Sequence, residues 1–166
     1  MSLFSRSTED KAARLIAACR SRGMMLATAE SCTGGLIAAA LTDISGSSAV
    51  VDRGFVTYSN EAKQQMIGVE ASVLAKHGAV SRETALQMAR GALIRSRANL
   101  AIAVTGIAGP GGGSVEKPVG LVHLAAISKD GRLMHRQMSY GELGRDGVRM
   151  ATVETALDML LELSQA

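Results

Sequence analysis

Apolar and polar positions alternate along this chain in two different rhythms. From Ser7 to Arg20, Ala12, Leu15, Ile16 and Cys19 recur at helical spacing, which predicts an amphipathic helix. Ser7 is placed to cap it, with Asp10 three residues on, and Gly23 is a natural stop. Met24 to Ala29 is a short apolar run, read as a strand, and it breaks into the polar turn Glu30-Ser31-Cys32-Thr33-Gly34-Gly35. Helical spacing resumes over Leu36 to Ile44, burying Leu36, Ile37, Ala40 and Leu41. After the loop Ser45–Ser48, Ala49 to Tyr58 reads as a second strand. Asn60 to Ile67 and Ala71 to His77 read as short helices, the latter stopped by Gly78. Ser81 caps a longer helix whose stripe is Ala85, Met88, Ala89, Ala92 and Leu93. Asn99 to Thr105 is a buried strand, and Gly106 to Pro118 is glycine-rich and irregular. Val119 to Ser128 and Leu133 to Tyr140 form a hairpin closed by Asp130-Gly131. Val148 to Leu163 is a final helix with Val153, Ala156, Leu157, Leu160 and Leu161 facing inward.

Strands alternating with helices, plus a late hairpin, predict an α/β fold with a mixed sheet covered by helices on both faces. No internal repeat, linker or low-complexity tract divides the sequence, so residues 1–166 read as one domain. At that length folding buries about 70% of the unfolded chain's surface, and stability calls for no metal or disulfide. Only Cys19 and Cys32 are present, so a disulfide scaffold is excluded and a reducing, cytoplasmic setting is expected. Met1 to Lys11 carries charges and no apolar stretch of secretory length. No apolar run approaches the ~20 residues that span a bilayer, so no membrane partner is expected.

Charge and composition narrow the function classes. The net charge is +3, without a Lys/Arg block, and the chain has no Trp, two Tyr and two Phe. Nucleic-acid binding calls for a concentrated basic face, often with aromatics, so it is not expected; a small anionic ligand needs only one or two cations. The nine Met residues sit mostly at core spacing and read as adaptable filling. The three His do not cluster at ligand spacing and neither Cys has a CxxC partner, so no metal site is expected.

Three stretches could carry chemistry. Ser31 sits where a strand ends and a helix begins, and Gly34 and Gly35 let backbone approach a ligand closely; such a place stabilises an oxyanion or a phosphate. On local pattern alone, a hydroxyl cap beside a glycine turn is the stronger reading. Cys32 is a competing nucleophile, and Glu30 reads as a solvated charge, a capping carboxylate or an orienting group. In Phe55-Val56-Thr57-Tyr58-Ser59-Asn60-Glu61-Ala62-Lys63, Lys63 is either an exposed lysine or one drawn into a cleft, its pKa lowered enough to take a proton from a hydroxyl. A serine activated by lysine is an established alternative to the Ser-His-Asp triad. The glycine-rich run from Thr105 to Ser114 matches neither a Walker loop nor a dinucleotide turn. Arg145 and Arg149, four residues apart, share a helix face and either lie on the surface or clamp an anion.

Several of these segments, in order, resemble the C-terminal domain of the competence-damage-inducible protein family, CinA. They are Ala29 to Gly35, Gly54 to Lys63, Gly106 to Pro110, Glu116-Lys117-Pro118-Val119-Gly120, and a looser ending from Arg145-Asp146 to Val148-Arg149. The likeness runs from about Met24 to Leu157. The family usually shows Gly-Asp-Arg before the last helix, where this chain has Leu143-Gly144-Arg145. The resemblance implies a three-layer α/β/α sandwich and amidase activity converting nicotinamide mononucleotide to nicotinate mononucleotide and ammonia, a step of pyridine-nucleotide recycling. It implies Ser31 as nucleophile, Lys63 as its base and Tyr58 lining or assisting the site, with Thr105, Gly106 and Arg145 holding the substrate. The Gly34-Gly35 turn is expected to supply oxyanion donors. No metal or organic cofactor is implied, and the chain is expected to be the stand-alone form, with homo-oligomer assembly open. Two rival readings are a non-catalytic pyridine-nucleotide or partner-binding module, in which Ser31 merely caps a helix, and an amidase for another small amide.

Overall fold

The computed structural model describes residues 1–165. Its helices are α1 (Arg6–Arg22), α2 (Leu36–Thr42), α3 (Asn60–Ile67), α4 (Ala71–His77), α5 (Arg82–Ile94) and α6 (Gly144–Gln165), and its strands are β1 (Leu26–Glu30), β2 (Val51–Val56), β3 (Leu100–Gly106), β4 (Leu121–Ser128) and β5 (Leu133–Ser139). The strands form one sheet in the order β2-β1-β3-β4-β5. The β2, β1 and β3 strands run parallel, and β4 and β5 add on antiparallel. The mixed α/β architecture is the one expected from the sequence.

Helix boundaries follow local chemistry. Gly23 and Gly68 end α1 and α3 in the left-handed conformation, which a residue without Cβ adopts freely. The cap of α1 differs from expectation: Ser5, not Ser7, accepts from the amide of Thr8. Ser7 lies inside the helix, where its hydroxyl donates to Glu154 of α6 at 3.1 Å. The last helix also begins earlier than expected, at Gly144 rather than Val148. Its opening turn, Gly144-Arg145-Asp146-Gly147, carries no apolar residue, so periodicity could not reveal it.

Alternate residues of the central strands feed two separate cores. Leu100, Ile102 and Val104 of β3 pack with the α1, α2 and α6 side, while Ala101 and Ala103 pack with the α5 side. The second face is built of alanines, which lets α5 lie close to the sheet. Close approach extends to Gly91 of α5, where an added Cβ would stand 1.9 Å from the carbonyl oxygen of Ile67.

The path of the chain positions the site. The connection from β1 to β2 runs through α2, and the connection from β2 back across β1 to β3 runs through α3, α4 and α5. Because these crossovers travel in opposite directions, right-handedness sends them to opposite faces. The carboxyl ends of β1, β2 and β3 therefore open together at a reversal of strand order, the usual place for a ligand crevice. Ser31 follows β1, Lys63 follows β2, and the glycine-rich segment follows β3. Among the described residues no helix is long and apolar enough to cross a membrane.

Candidate active site

Lys63 lies in the first turns of α3, capped by Ser59, whose hydroxyl accepts from the amide of Ala62 at 3.0 Å. Helical side chains lean toward the amino terminus, and Lys63 reaches back to the chain that precedes its own helix. Its Nζ donates to the carbonyl of Thr57 at 2.8 Å and lies 3.4 Å from that of Tyr58. A third contact crosses to Ser31 Oγ at 3.0 Å. The side chain is 1% exposed and makes no ion pair among the described residues. Burial without a countercharge disfavours the ammonium, and the pKa of Lys63 is lowered, chiefly by desolvation, with Cys32 opposing. The amine thus sits among two carbonyls and the Ser31 hydroxyl.

Ser31 is fixed from the strand side, its amide donating to the carbonyl of Val104 on β3 at 3.1 Å. Of the readings open for Glu30, the structure selects the capping carboxylate. Glu30 is fully buried, accepting from Thr33 Oγ1 at 2.6 Å, from the amide of Ile37 at 2.8 Å and from that of Ala38 at 3.1 Å. Each charge-assisted bond contributes about 1.5–3 kcal/mol, so the turn that carries Ser31 is tied firmly to the head of α2.

A cavity of about 260 Å³ opens in front of the pair. Ser31, Cys32, Tyr58, Lys63, Thr105, Gly106 and Arg145 all line it. Arg145 donates to the carbonyl of Gly109 at 2.8 Å and to the hydroxyl of Tyr58 at 3.1 Å, spanning the rim between the glycine-rich segment and the end of β2. Thr105 is buried with its hydroxyl committed to the carbonyl of Ala79 at 2.8 Å, which leaves it only acceptor capacity toward a ligand. Gly106 must be glycine for packing, since an added Cβ would meet Val122 Cγ2 at 2.6 Å. Cys32 touches the cavity, but desolvation pushes its thiol up to about 11, so it stays protonated and a poor nucleophile.

One expectation is corrected, and two further arrangements come only with the fold. Gly34 and Gly35 do not line the cavity. Both adopt the left-handed conformation, with φ of 57° and 106°, and the amides of Ile37 and Ala38 at the head of α2 are taken by Glu30 rather than offered to a ligand. Arg149 does not follow Arg145 to the cavity: it lies behind the turn, donating to the carbonyls of Cys32 and Thr33. The His residues do come together in part, because the β4–β5 pairing stacks His123 on His135 with ring nitrogens 3.0 Å apart. Burial, with His135 adding to it, pushes the pKa of His123 down to about 4. Among the described residues no group of His, Cys, Asp or Glu could hold a metal ion.

The cavity also takes in residues that the sequence does not single out. Ala79 and Val80, at the join of α4 and α5, form one wall, and Ile107, Ala108 and Gly109 form another. Small apolar side chains carry no chemical signal; only the breaks at Gly78 and Gly109 mark these segments as irregular.

The profile of the CinA C-terminal domain matches residues 8–164. The nicotinamide-nucleotide amidohydrolase PncC of Escherichia coli strain K12 is 52% identical over 144 residues, 86% of this chain and 86% of the relative. A CinA-like protein of Geobacter sulfurreducens is 52% identical over 141 residues, 85% of this chain and 34% of that longer relative. Among solved structures, the competence/damage inducible protein CihA from Agrobacterium tumefaciens superposes with a TM-score of 0.99 at 64% identity, covering 99% of this chain and 100% of that one.

Proposed function

Because the chain belongs to the CinA C-terminal domain family, we propose that it is a nicotinamide-nucleotide amidase, hydrolysing nicotinamide mononucleotide to nicotinate mononucleotide and ammonia through a Ser-Lys acyl-enzyme. The observation that carries this reading is the buried Lys63 amine, 3.0 Å from Ser31 Oγ and without a countercharge. A lysine so placed is a base rather than a charge.

The chemistry follows from that contact. Ser31 Oγ bonds to the carboxamide carbon while its proton passes to Lys63 Nζ. The carbonyl oxygen becomes an oxyanion, stabilised by amides of the turn after Ser31 and by the new ammonium. Lys63 returns the proton to the departing nitrogen, the C–N bond breaks, and ammonia leaves an ester on Ser31. Water then attacks that ester, giving its proton to Lys63, and the carboxylate product departs as Ser31 is reprotonated. Tyr58 and Arg145 frame the mouth, where Arg145 is the cation for the substrate phosphate. Thr105 and Gly106 shape the floor under the ring. The reading places the enzyme in the cytoplasm, consistent with its two unpaired cysteines, and gives it a small pyridine nucleotide as ligand rather than nucleic acid or membrane.

The test is ammonia release from nicotinamide mononucleotide, nicotinamide riboside and free nicotinamide. Binding energy from the remote phosphate aligns the reacting carbonyl, so the mononucleotide should be much the best substrate. Arg145→Ala should lower its kcat/KM by about 10- to 100-fold, the value of one or two charged hydrogen bonds, and leave the riboside nearly unchanged. Equal rates for all three substrates in the parent would remove phosphate recognition, and no release from any would remove the amidase reading.

A further inference from the structure

The cavity wall of Ala79 and Val80 lies on the short connection between His77, the last residue of α4, and Arg82, the first of α5. Three consecutive carbonyls there are each held by a side chain. His77 O accepts from Lys117 Nζ at 2.6 Å, and Gly78 O from Ser81 Oγ at 3.0 Å and Thr84 Oγ1 at 2.7 Å. Ala79 O accepts from Thr105 Oγ1 at 2.8 Å. Ser81 and Thr84 belong to α5 and its cap. Thr105 and Lys117 instead flank the irregular segment whose residues Ile107, Ala108 and Gly109 form another wall of the same cavity. Two side chains therefore tie one wall to the other. Thr105 lines the cavity itself, and Lys117 does not.

Lys117 belongs to the stretch Glu116-Lys117-Pro118-Val119-Gly120, to which the chemistry above gives no task. Its backbone starts from a fixed point: its amide donates to Ser114 Oγ at 3.0 Å, and its carbonyl accepts from the amide of Ser114 at 2.8 Å. The side chain is half-buried and makes no ion pair among the described residues. A cation at the last carbonyl of α4 is favoured by the helix dipole. Gly78 leaves the space it occupies, since an added Cβ would stand 3.0 Å from Lys117 Nζ, and φ of 78° suits a residue without one. Without Lys117, the only hydrogen bond that reaches His77, Gly78 or Ala79 from outside α4, α5 and their caps is that of Thr105, among the described residues.

We propose that Lys117 is a positioning residue that sets the width of the cavity: by holding the His77 carbonyl it fixes Ala79 and Val80 at a set distance from Ile107, Ala108 and Gly109, and so decides how large a group the site accepts beside Ser31. The inference rests on this cavity as the reaction site, and only the choice of substrate in its test rests on the amidase reading. Lys117 touches no reacting atom and acts through the wall alone.

The experiment compares the parent with Lys117→Met on two pairs of probes. One pair is nicotinamide mononucleotide and its analogue with a methyl group added to the ring, followed by ammonia release. The other is a small and a branched alkyl fluorophosphonate, followed by intact-protein mass spectrometry; Ser31 Oγ bonds to phosphorus, fluoride leaves, and the hydroxyl proton passes to Lys63. A wall at fixed distance should make the parent discriminate against the larger member of each pair by about 10- to 100-fold. Lys117→Met should narrow both ratios by about 5- to 10-fold. Loss of folded protein would slow both members of a pair equally and leave the ratio unmoved. Arg132→Met, which removes a side-chain grip on the carbonyl of Leu163 outside the cavity, should keep the parent ratios. Lys117→Arg, which keeps a cation for the His77 carbonyl, should recover most of the discrimination. Lys117→Gln carries the test if the Met variant fails to fold. Unchanged ratios in a folded Lys117→Met or Lys117→Gln protein, or equal narrowing in Arg132→Met, overturn the proposal. A narrowed labelling ratio alongside a parent that releases no ammonia upholds it while sinking the substrate reading. A parent that neither labels at Ser31 nor releases ammonia overturns the reaction site, and this proposal with it.

Discussion

The cavity has one wall where the half-buried Ser31 meets the buried Lys63, with Glu30 buried behind the Ser31 turn, and one wall of backbone, from Gly106 to Gly112, that becomes exposed toward its end. On the first wall every polar group of the pair has a partner at hydrogen-bonding distance, and Lys63 is held dry among carbonyls. On the second, glycines bring main chain to the surface and Arg145 supplies a cation, bridging to Tyr58. The contrast divides labour physically. Proton transfer from a hydroxyl to an amine needs desolvation and fixed distances. Accepting a flat ring and a phosphate needs open space and accessible donors.

The largest effect should come from the first wall. Ser31→Ala should lower kcat by roughly 10⁴-fold or more with the fold intact, whereas Cys32→Ser should stay within a few-fold, because the Cys32 thiol, pushed up to about 11 by burial, stays protonated. Near-normal ammonia release from Ser31→Ala would reverse that assignment.

Lys63 comes next. Lys63→Arg should cost about 10²- to 10⁴-fold in kcat, since the guanidinium stays protonated; a working Arg variant would mean that charge, not proton transfer, is required. In the parent, kcat/KM should fall as pH drops through the lowered pKa of Lys63. The same shift has a sign in stability. Below the ordinary lysine value of 10.5, the unfolded chain binds the proton more readily than the native one, so this group's contribution to stability rises with pH. Lys63→Met should therefore melt above the parent at neutral pH, with the gap closing toward pH ~10. A lower Tm for Lys63→Met at neutral pH would show that the buried amine stabilises the fold.

The smallest effects belong to the second wall and distinguish its parts. Gly109 has φ of 85°, and an added Cβ would meet Val119 Cγ1 at 2.5 Å, so Gly109→Ala should destabilise by about 1–3 kcal/mol. Gly111 has nothing within 4 Å of the same built atom. Gly111→Ala should leave stability within about 0.5 kcal/mol and kcat/KM within about threefold. Chemical denaturation and ammonia release on both variants check this, and a large kinetic loss in Gly111→Ala with stability unchanged would place substrate directly against that residue.

What the sequence by itself determined was local: the existence and order of the helices and strands, the hairpin at Asp130-Gly131, the cap at Ser81, and the stops at Gly23 and Gly78. Each follows from periodicity or backbone chemistry within a few residues. Family motifs, read as ordered text, also drew Ser31, Lys63, Tyr58, Thr105 and Arg145 into one group, although local pattern alone favoured a plain cap at Ser31. Only the tertiary structure decided which groups meet. It turned Glu30 inward to cap α2, left Gly34 and Gly35 out of the cavity lining, set Arg149 on the carbonyls of the turn after Ser31, stacked His123 on His135, and brought Ala79 and Val80 into a wall. Those outcomes depend on crossover handedness, strand register and helix packing, which join residues far apart in sequence and leave no periodic trace in it. The lowered pKa of Lys63 belongs with them, because desolvation is a property of the surroundings and not of the lysine.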